Sequence, residues 1–141
     1  MPLDEKQLIE VLEALHNGDF TKRMTTARLG GQTLSVAMLI NSTMQMLENL
    51  VAEHKRITEE IGTLGMLGGQ AEVEHVTGSW RQMVESLNRM SVGLTVELRK
   101  TSQSLAALAK GSPAKPLTPE FISGECAELQ GHVNALAGRA S

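Results

Sequence analysis

The chain has 141 residues, with 13 Lys or Arg against 16 Asp or Glu, a net charge of −3 whose two signs are interspersed. That balance argues against a nucleic-acid or anionic-membrane surface, both of which need clustered cations. Two Phe, one Trp and no Tyr leave any core to Leu, Val, Ile, Ala and eight Met, so a large core needs many helices to wall it.

Asp4 followed by Gln7 has the form of a capping box, and Leu8, Val11 or Leu12, and Leu15 make an apolar stripe behind it. This predicts a first helix that stops at Gly18. From Gly18 a ruler runs through the chain: Gly31 lies thirteen residues on, and Asn41 ten further. The same spacing recurs at Gly65, Gly78 and Asn88, and again at Gly111, Gly124 and Asn134, with offsets of 47 and then 46 residues. Three marks in three copies define a triple repeat, over 4–50, 51–94 and 95–141, and each unit is too short to bury much core alone.

Between the two glycines of each copy the chain reads as a connector. In the first, Phe20 and Met24 are large apolar residues four apart; their counterparts are Leu67 and Ala71, then Pro113 and Leu117. Two apolar teeth four residues apart in a polar loop are expected to bite down on helices, since exposure would gain nothing. A thirteen-residue connector also has the reach, roughly 43 Å, to run back along a helix of about 22 Å and start the next one parallel to it. An antiparallel hairpin would need only about 2–8 residues.

After each second glycine an apolar seam begins at alternating steps of 3 and 4: Val36, Ile40 and Leu47 in copy one; Trp80, Met83, Leu87, Met90 and Leu94 in copy two; Cys126, Leu129, Val133 and Leu136 in copy three. Neither Gly nor Pro occurs from Gln32 to Ile61, so the second helix of copy one is expected to run into the first helix of copy two. The seam continues there through Leu50, His54, Ile57 and Ile61. At the second junction the steps from Met90 to Leu94 and from Leu94 to Leu98 are both 4, before Thr101 and Leu105 resume the alternation, which is a stutter. Copy three is the least regular: Pro113, Pro116 and Pro119 stiffen its connector, and Gly131 and Gly138 weaken its last helix.

No apolar run approaches the ~20 residues that span a bilayer, and Asp4, Glu5 and Lys6 are not backed by a signal segment. Cys126 is the single cysteine, which excludes an intrachain disulfide and points to a reducing compartment. The expectation is a cytoplasmic chain, or the cytosolic part of a larger signalling protein.

The stretch Leu67-Gly68-Gly69-Gln70-Ala71-Glu72-Val73, then Val76-Thr77-Gly78-Ser79-Trp80, then Leu87-Asn88-Arg89-Met90, resembles the concatenated HAMP domains of soluble-sensing hybrid histidine kinases and chemoreceptors. Gly18-Asp19-Phe20 and Ile40-Asn41 extend the likeness to copy one; Gly111, Leu117, Gly124-Glu125 and Asn134 carry it into copy three. The resemblance implies an all-α fold in which a parallel homodimer builds each repeat as a four-helix bundle. It also implies a non-catalytic relay, passing conformational change from a sensor domain to a kinase or methyl-accepting transducer domain of the parent chain. The family's acidic residue after the second glycine is matched by Glu125 alone; copies one and two have Gln32 and Ser79. The rival reading is a monomeric α-solenoid scaffold of the HEAT or armadillo kind, whose period is also about 40–47 residues.

Chemistry-bearing patterns are thin. Leu-Gly-Gly-Gln occurs at 29–32 and 67–70, at different places in the repeat and without a basic RNA-binding surface, and reads as a turn former. Gly65 to Gly69 lacks the Lys-Ser/Thr of a phosphate loop. Glu72, Glu74 and His75 lack an HxxxH or CxxC partner and read as a solvated edge, and His54 as a polar residue tolerated on the seam. The expectation is therefore no catalytic residue, no cofactor, no metal, no small-molecule substrate and no membrane insertion.

Overall fold

The computed structural model describes residues 2–140. They form four helices and no strand: α1 (Glu5–His16), α2 (Gly31–Gly62), α3 (Gly78–Ala109) and α4 (Glu125–Ala140). The protein is all-α. Both 32-residue helices cross a repeat junction without a break, so the stutter near Leu94 and Leu98 leaves α3 continuous.

The ruler marks are backbone devices. The first-mark glycines Gly18, Gly65 and Gly111 have φ of 80°, 69° and 73°, and the second marks Gly31, Gly78 and Gly124 all have φ of 56°. These left-handed values are open to glycine at little steric cost. At the end of α1, Gly18 N–H reaches Leu15 O and Asp19 N–H reaches Ala14 O. At the end of α3, Gly111 N–H reaches Leu108 O and Ser112 N–H reaches Ala107 O. Both closures satisfy carbonyls that the helix end would leave unpaired. Asp4 caps α1, its carboxylate accepting Gln7 N–H at 3.2 Å. The reciprocal arm of the capping box is not made. The Gln7 amide instead turns to the connector, accepting Thr25 N–H at 2.8 Å and donating to Thr25 Oγ1 at 2.9 Å.

Two compact units form, Met1–Arg56 with Ala71–Val84, and Ile57–Gln70 with Glu85–Ser141. In the first unit Val11, Met24, Ala37 and Met44 are buried, with Leu3, Leu8, Leu15, Phe20, Leu29 and Ile40 packed on them. Its connector hydrogen bonds fix helix direction. The chain leaves α1 at its C-terminal end, and by Thr25 it has returned to Gln7, near the start of α1. Along α2, Arg23 meets Gln45 and Glu48, and Met24 meets Asn41, before Gly31 opens the helix. The connector thus runs against both helices, and α1 and the first part of α2 are parallel.

The second unit repeats this twice. Met66 N–H bonds Glu60 O, Gly69 lies against Ile57 and Glu60, and Ser91 Oγ donates to Gly69 O. The end of α2 is therefore parallel to α3. Connector three passes Asn134 at Leu117, Lys100 at Thr118 and Glu97 at Glu120, so α3 and α4 are parallel as well. The buried face of α3 here is small and polar: Ser91, Gly93, Thr95, Glu97, Thr101 and Ser104. A Cβ on Gly93 would stand 2.9 Å from Ile122 Cδ1, so the missing side chain is what lets connector three approach.

Candidate functional site

The asparagine mark is a clamp on the connector backbone. In repeat one, Asn41 Oδ1 accepts Met24 N–H at 2.6 Å and Asn41 Nδ2 donates to Met24 O at 2.9 Å. In repeat three, Asn134 does the same to Leu117, at 2.8 and 2.9 Å. A carboxamide carries a donor and an acceptor side by side, so it saturates one peptide group on both sides. The clamped residue is in each case the second apolar tooth. Asn88 and Ala71 hold the same two places in repeat two. Met24 and Ala71 are buried, Leu117 is half-buried, and the first teeth Phe20 and Leu67 are half-buried. Pro113, the third copy's first tooth, is exposed. It lines a cleft of about 420 Å³ with Leu108, Pro116, Ala137 and Gly138.

A second tie joins the connector to the first helix of each repeat, and its polarity changes along the chain. Gln7 accepts Thr25 N–H. In repeat two Glu53 accepts Glu72 N–H at 2.8 Å, and Arg56 holds the same carboxylate. Those two partners, Arg56 first, keep Glu53 down at about 2 from its ordinary 4.5. In repeat three Lys100 stands at the place of Gln7, and, having donors only, it takes Thr118 O at 2.6 Å.

Repeat three adds a buried carboxylate. Glu97 is 1% exposed and accepts the successive N–H groups of Glu120, Phe121 and Ile122 at 3.1 to 3.3 Å, besides the Gln130 amide at 3.3 Å. Lys100 lies 3.4 Å away. Burial pushes the Glu97 carboxyl up, but the Ile122 and Phe121 N–H groups, Gln130 and Glu120 outweigh it and hold the group at about 2. Glu97 occupies the repeat position of Asp4 and Val51, and Gln130 that of Ala37 and Val84. Neither was singled out in the sequence. The available signal was a charge interrupting the apolar residues Leu94, Val96 and Leu98.

The apolar seam is covered only in part, Leu50 and Ile57 on it being buried. Val36, Trp80, Met83, Met90, Leu129 and Leu136 are exposed; Ile40, Leu47, Leu87, Leu94 and Cys126 are half-buried; Val133 is buried. Within one chain Met44, Leu50 and Ile57 of α2 and Val133 of α4 join the connectors in the interior, while a second set of large apolar side chains on α2, α3 and α4 stays exposed. Ile9, Leu12 and Leu39 add to the exposed set, Leu39 at 69%. Glu125, the acid after the second glycine, is exposed in the first turn of α4, where a carboxylate suits the positive end of the helix. Glu74 and His75 form an exposed pair 3.8 Å apart, His54 is exposed, and no metal-binding cluster occurs among the described residues. No described helix is long and apolar enough to cross a membrane.

No known family model matches the chain, and no solved structure matches it.

Proposed function

We propose that the chain is a non-catalytic signal relay of the HAMP class, a tandem array that works as a parallel homodimer between an input and an output domain. The observation that carries this is the set of large apolar seam residues left exposed, Val36, Trp80, Met83, Met90, Leu129 and Leu136, on helices that run parallel within each unit. Burying a large aliphatic or aromatic side chain is worth about 1.5–3 kcal/mol, and a second copy is the partner whose seam has the same heptad-like spacing. Parallel pairing is also the opposite of the antiparallel helix pairs that a solenoid scaffold needs. The continuous 32-residue helices supply rigid rods through which adjacent repeats bias one another, and eight Met suit a core that repacks between near-isoenergetic states.

Light scattering on the purified chain tests the reading. The expected mass is twice the 15.2 kDa of one chain at micromolar concentration. A compact monomer overturns the relay reading and favours the solenoid.

A further inference from the structure

Connector three carries Pro113, Pro116 and Pro119 at intervals of three. Proline holds its own φ at about −65° and pushes the residue before it into extended backbone. The pairs Ser112-Pro113, Lys115-Pro116 and Thr118-Pro119 are therefore all biased towards the polyproline II helix, which has three residues per turn. Residues 112–119 contain neither helix nor turn, and exposure along them repeats with the same period. Pro113, Pro116 and Pro119 are exposed, as are Ser112, Lys115 and Thr118, while Ala114 and Leu117 are half-buried. Of the three edges of such a helix, one rests on the bundle and two face outward. We infer that this ridge is a docking surface for a protein module whose groove is lined with aromatic side chains and rimmed with acidic ones.

Three observations converge on that partner. The first is that a connector of this kind folds without the prolines. Their places are held by Phe20, Arg23 and Thr26 in repeat one and by Leu67, Gln70 and Val73 in repeat two. Phe20 and Leu67 are half-buried teeth, and Arg23 reaches Gln45 on α2. Pro113 is instead exposed, and Pro116 has no donor with which to tie itself down. The second is that the ridge is held from beneath. Asn134 takes both sides of the Leu117 backbone, Lys100 takes Thr118 O, and Glu97 takes the N–H groups of residues 120–122. A segment ordered in advance loses little entropy on binding. The prolines lack the N–H groups that strand addition needs, whereas a groove that reads exposed edges needs none from them. The third is charge. From Leu98 to Pro119 the chain has Arg99, Lys100, Lys110 and Lys115 and no acidic residue, and Lys110 and Lys115 are exposed beside the row. Cations flanking an apolar ridge favour an acidic rim on the partner. The cleft of about 420 Å³ beside Pro113 and Pro116, backed by Leu108 and Ala137, has room for an aromatic ring from that groove.

The probes are three purified modules with aromatic-lined grooves and acidic rims: an SH3, a WW and an EVH1 domain. Each is titrated calorimetrically into the full chain, and at least one is expected to bind saturably, one module per chain. Pro113→Ala combined with Pro116→Ala should weaken that binding at least about tenfold. Lys115→Glu should weaken it about threefold and make it less sensitive to salt. Pro2→Ala, outside the row, should leave the affinity unchanged. Since repeats one and two place other residues where the prolines stand, the double variant should melt close to wild type by circular dichroism. Should it melt lower, Lys115→Glu decides, because that exposed side chain packs on nothing. Failure of all three modules to bind overturns the docking surface, as does binding that survives both the double variant and Lys115→Glu; the prolines then only stiffen the connector. Neither result bears on the mass of the chain alone, so the relay reading stands or falls separately.

Discussion

Repeats one and three close their connectors with the same asparagine clamp and then finish them differently. In repeat one the connector ends in a tight turn whose Arg28 has φ of 66°, and the helices beneath it bury apolar residues, Val11, Ala37 and Met44. In repeat three the place of Arg28 is taken by Phe121, whose φ is not positive, and the N–H groups of residues 120–122 converge on Glu97. Beneath that connector Gln130 and Glu97 stand where repeat one has Ala37 and Asp4. The ruler therefore specifies where the connector is pinned, and the residues between the marks specify what the pin is made of. An apolar seat tolerates small shifts at small cost. A buried carboxylate with four donors does not, because each donor left unmet loses its solvation as well as its bond.

The largest expected effect lies at that carboxylate. Glu97→Ala strands three backbone N–H groups and the Gln130 amide, and should destabilise the second unit by about 3 kcal/mol in denaturant titration. Val51→Ala, at the same repeat position but 38% exposed, should cost under about 1 kcal/mol. Comparable losses at the two sites would erase the contrast. Acid sharpens it. The Glu97 carboxyl is held at about 2, below its ordinary 4.5, so it stabilises the fold fully above pH 4.5 and loses that contribution as pH falls towards 2. Glu53 titrates in the same direction over the same window. Glu97→Ala should therefore flatten the acid limb of the stability curve between about pH 4.5 and 2 without removing it.

Next come the clamps. Asn41→Ala breaks two hydrogen bonds around the buried Met24 and should cost about 2 kcal/mol, whereas Asn134→Ala, around the half-buried Leu117, should cost about 1 kcal/mol. Asn41→Asp separates the two bonds: it keeps the acceptor for Met24 N–H but sets a carboxylate oxygen against Met24 O. An Asp variant as stable as wild type would show that the donor half of the clamp contributes nothing.

Much of this fold is legible in the chain. The glycine marks, the gap-free run from Gln32 to Ile61 and the connector length together lead to long helices that pair in parallel, and the structure has those helices and that pairing. The asparagines were legible as marks but not as clamps, because position in a repeat does not say which backbone group a side chain will reach. The α3 interior was not legible at all. Hydrophobic periodicity finds the face with the most to gain from burial, here Met90, Leu94 and Leu98. Inside one chain, though, α3 buries Ser91, Thr95 and Ser104, because small side chains are what a connector can approach.

Arg28 and His75 give the smallest effect and the finest test of the comparison. They sit at equivalent places in repeats one and two, and both are left-handed, with φ of 66° and 61°. Nothing in either residue type announces this; Asn or Gly would have. The left-handed region costs a residue with a Cβ roughly 1–2 kcal/mol, and glycine escapes that cost while giving back part of it through a freer unfolded chain. Arg28→Gly and His75→Gly should therefore each stabilise by about 0.5 kcal/mol, a rise of a few degrees or less in Tm. Phe121→Gly has no such strain to relieve and should stabilise nothing, losing backbone order at the residue whose N–H meets Glu97. A thermal melt of the three variants decides it. Equal gains at all three positions would mean that the connectors of the three repeats end alike, and the distinction drawn between the apolar and the carboxylate pin would fail at its most sensitive point.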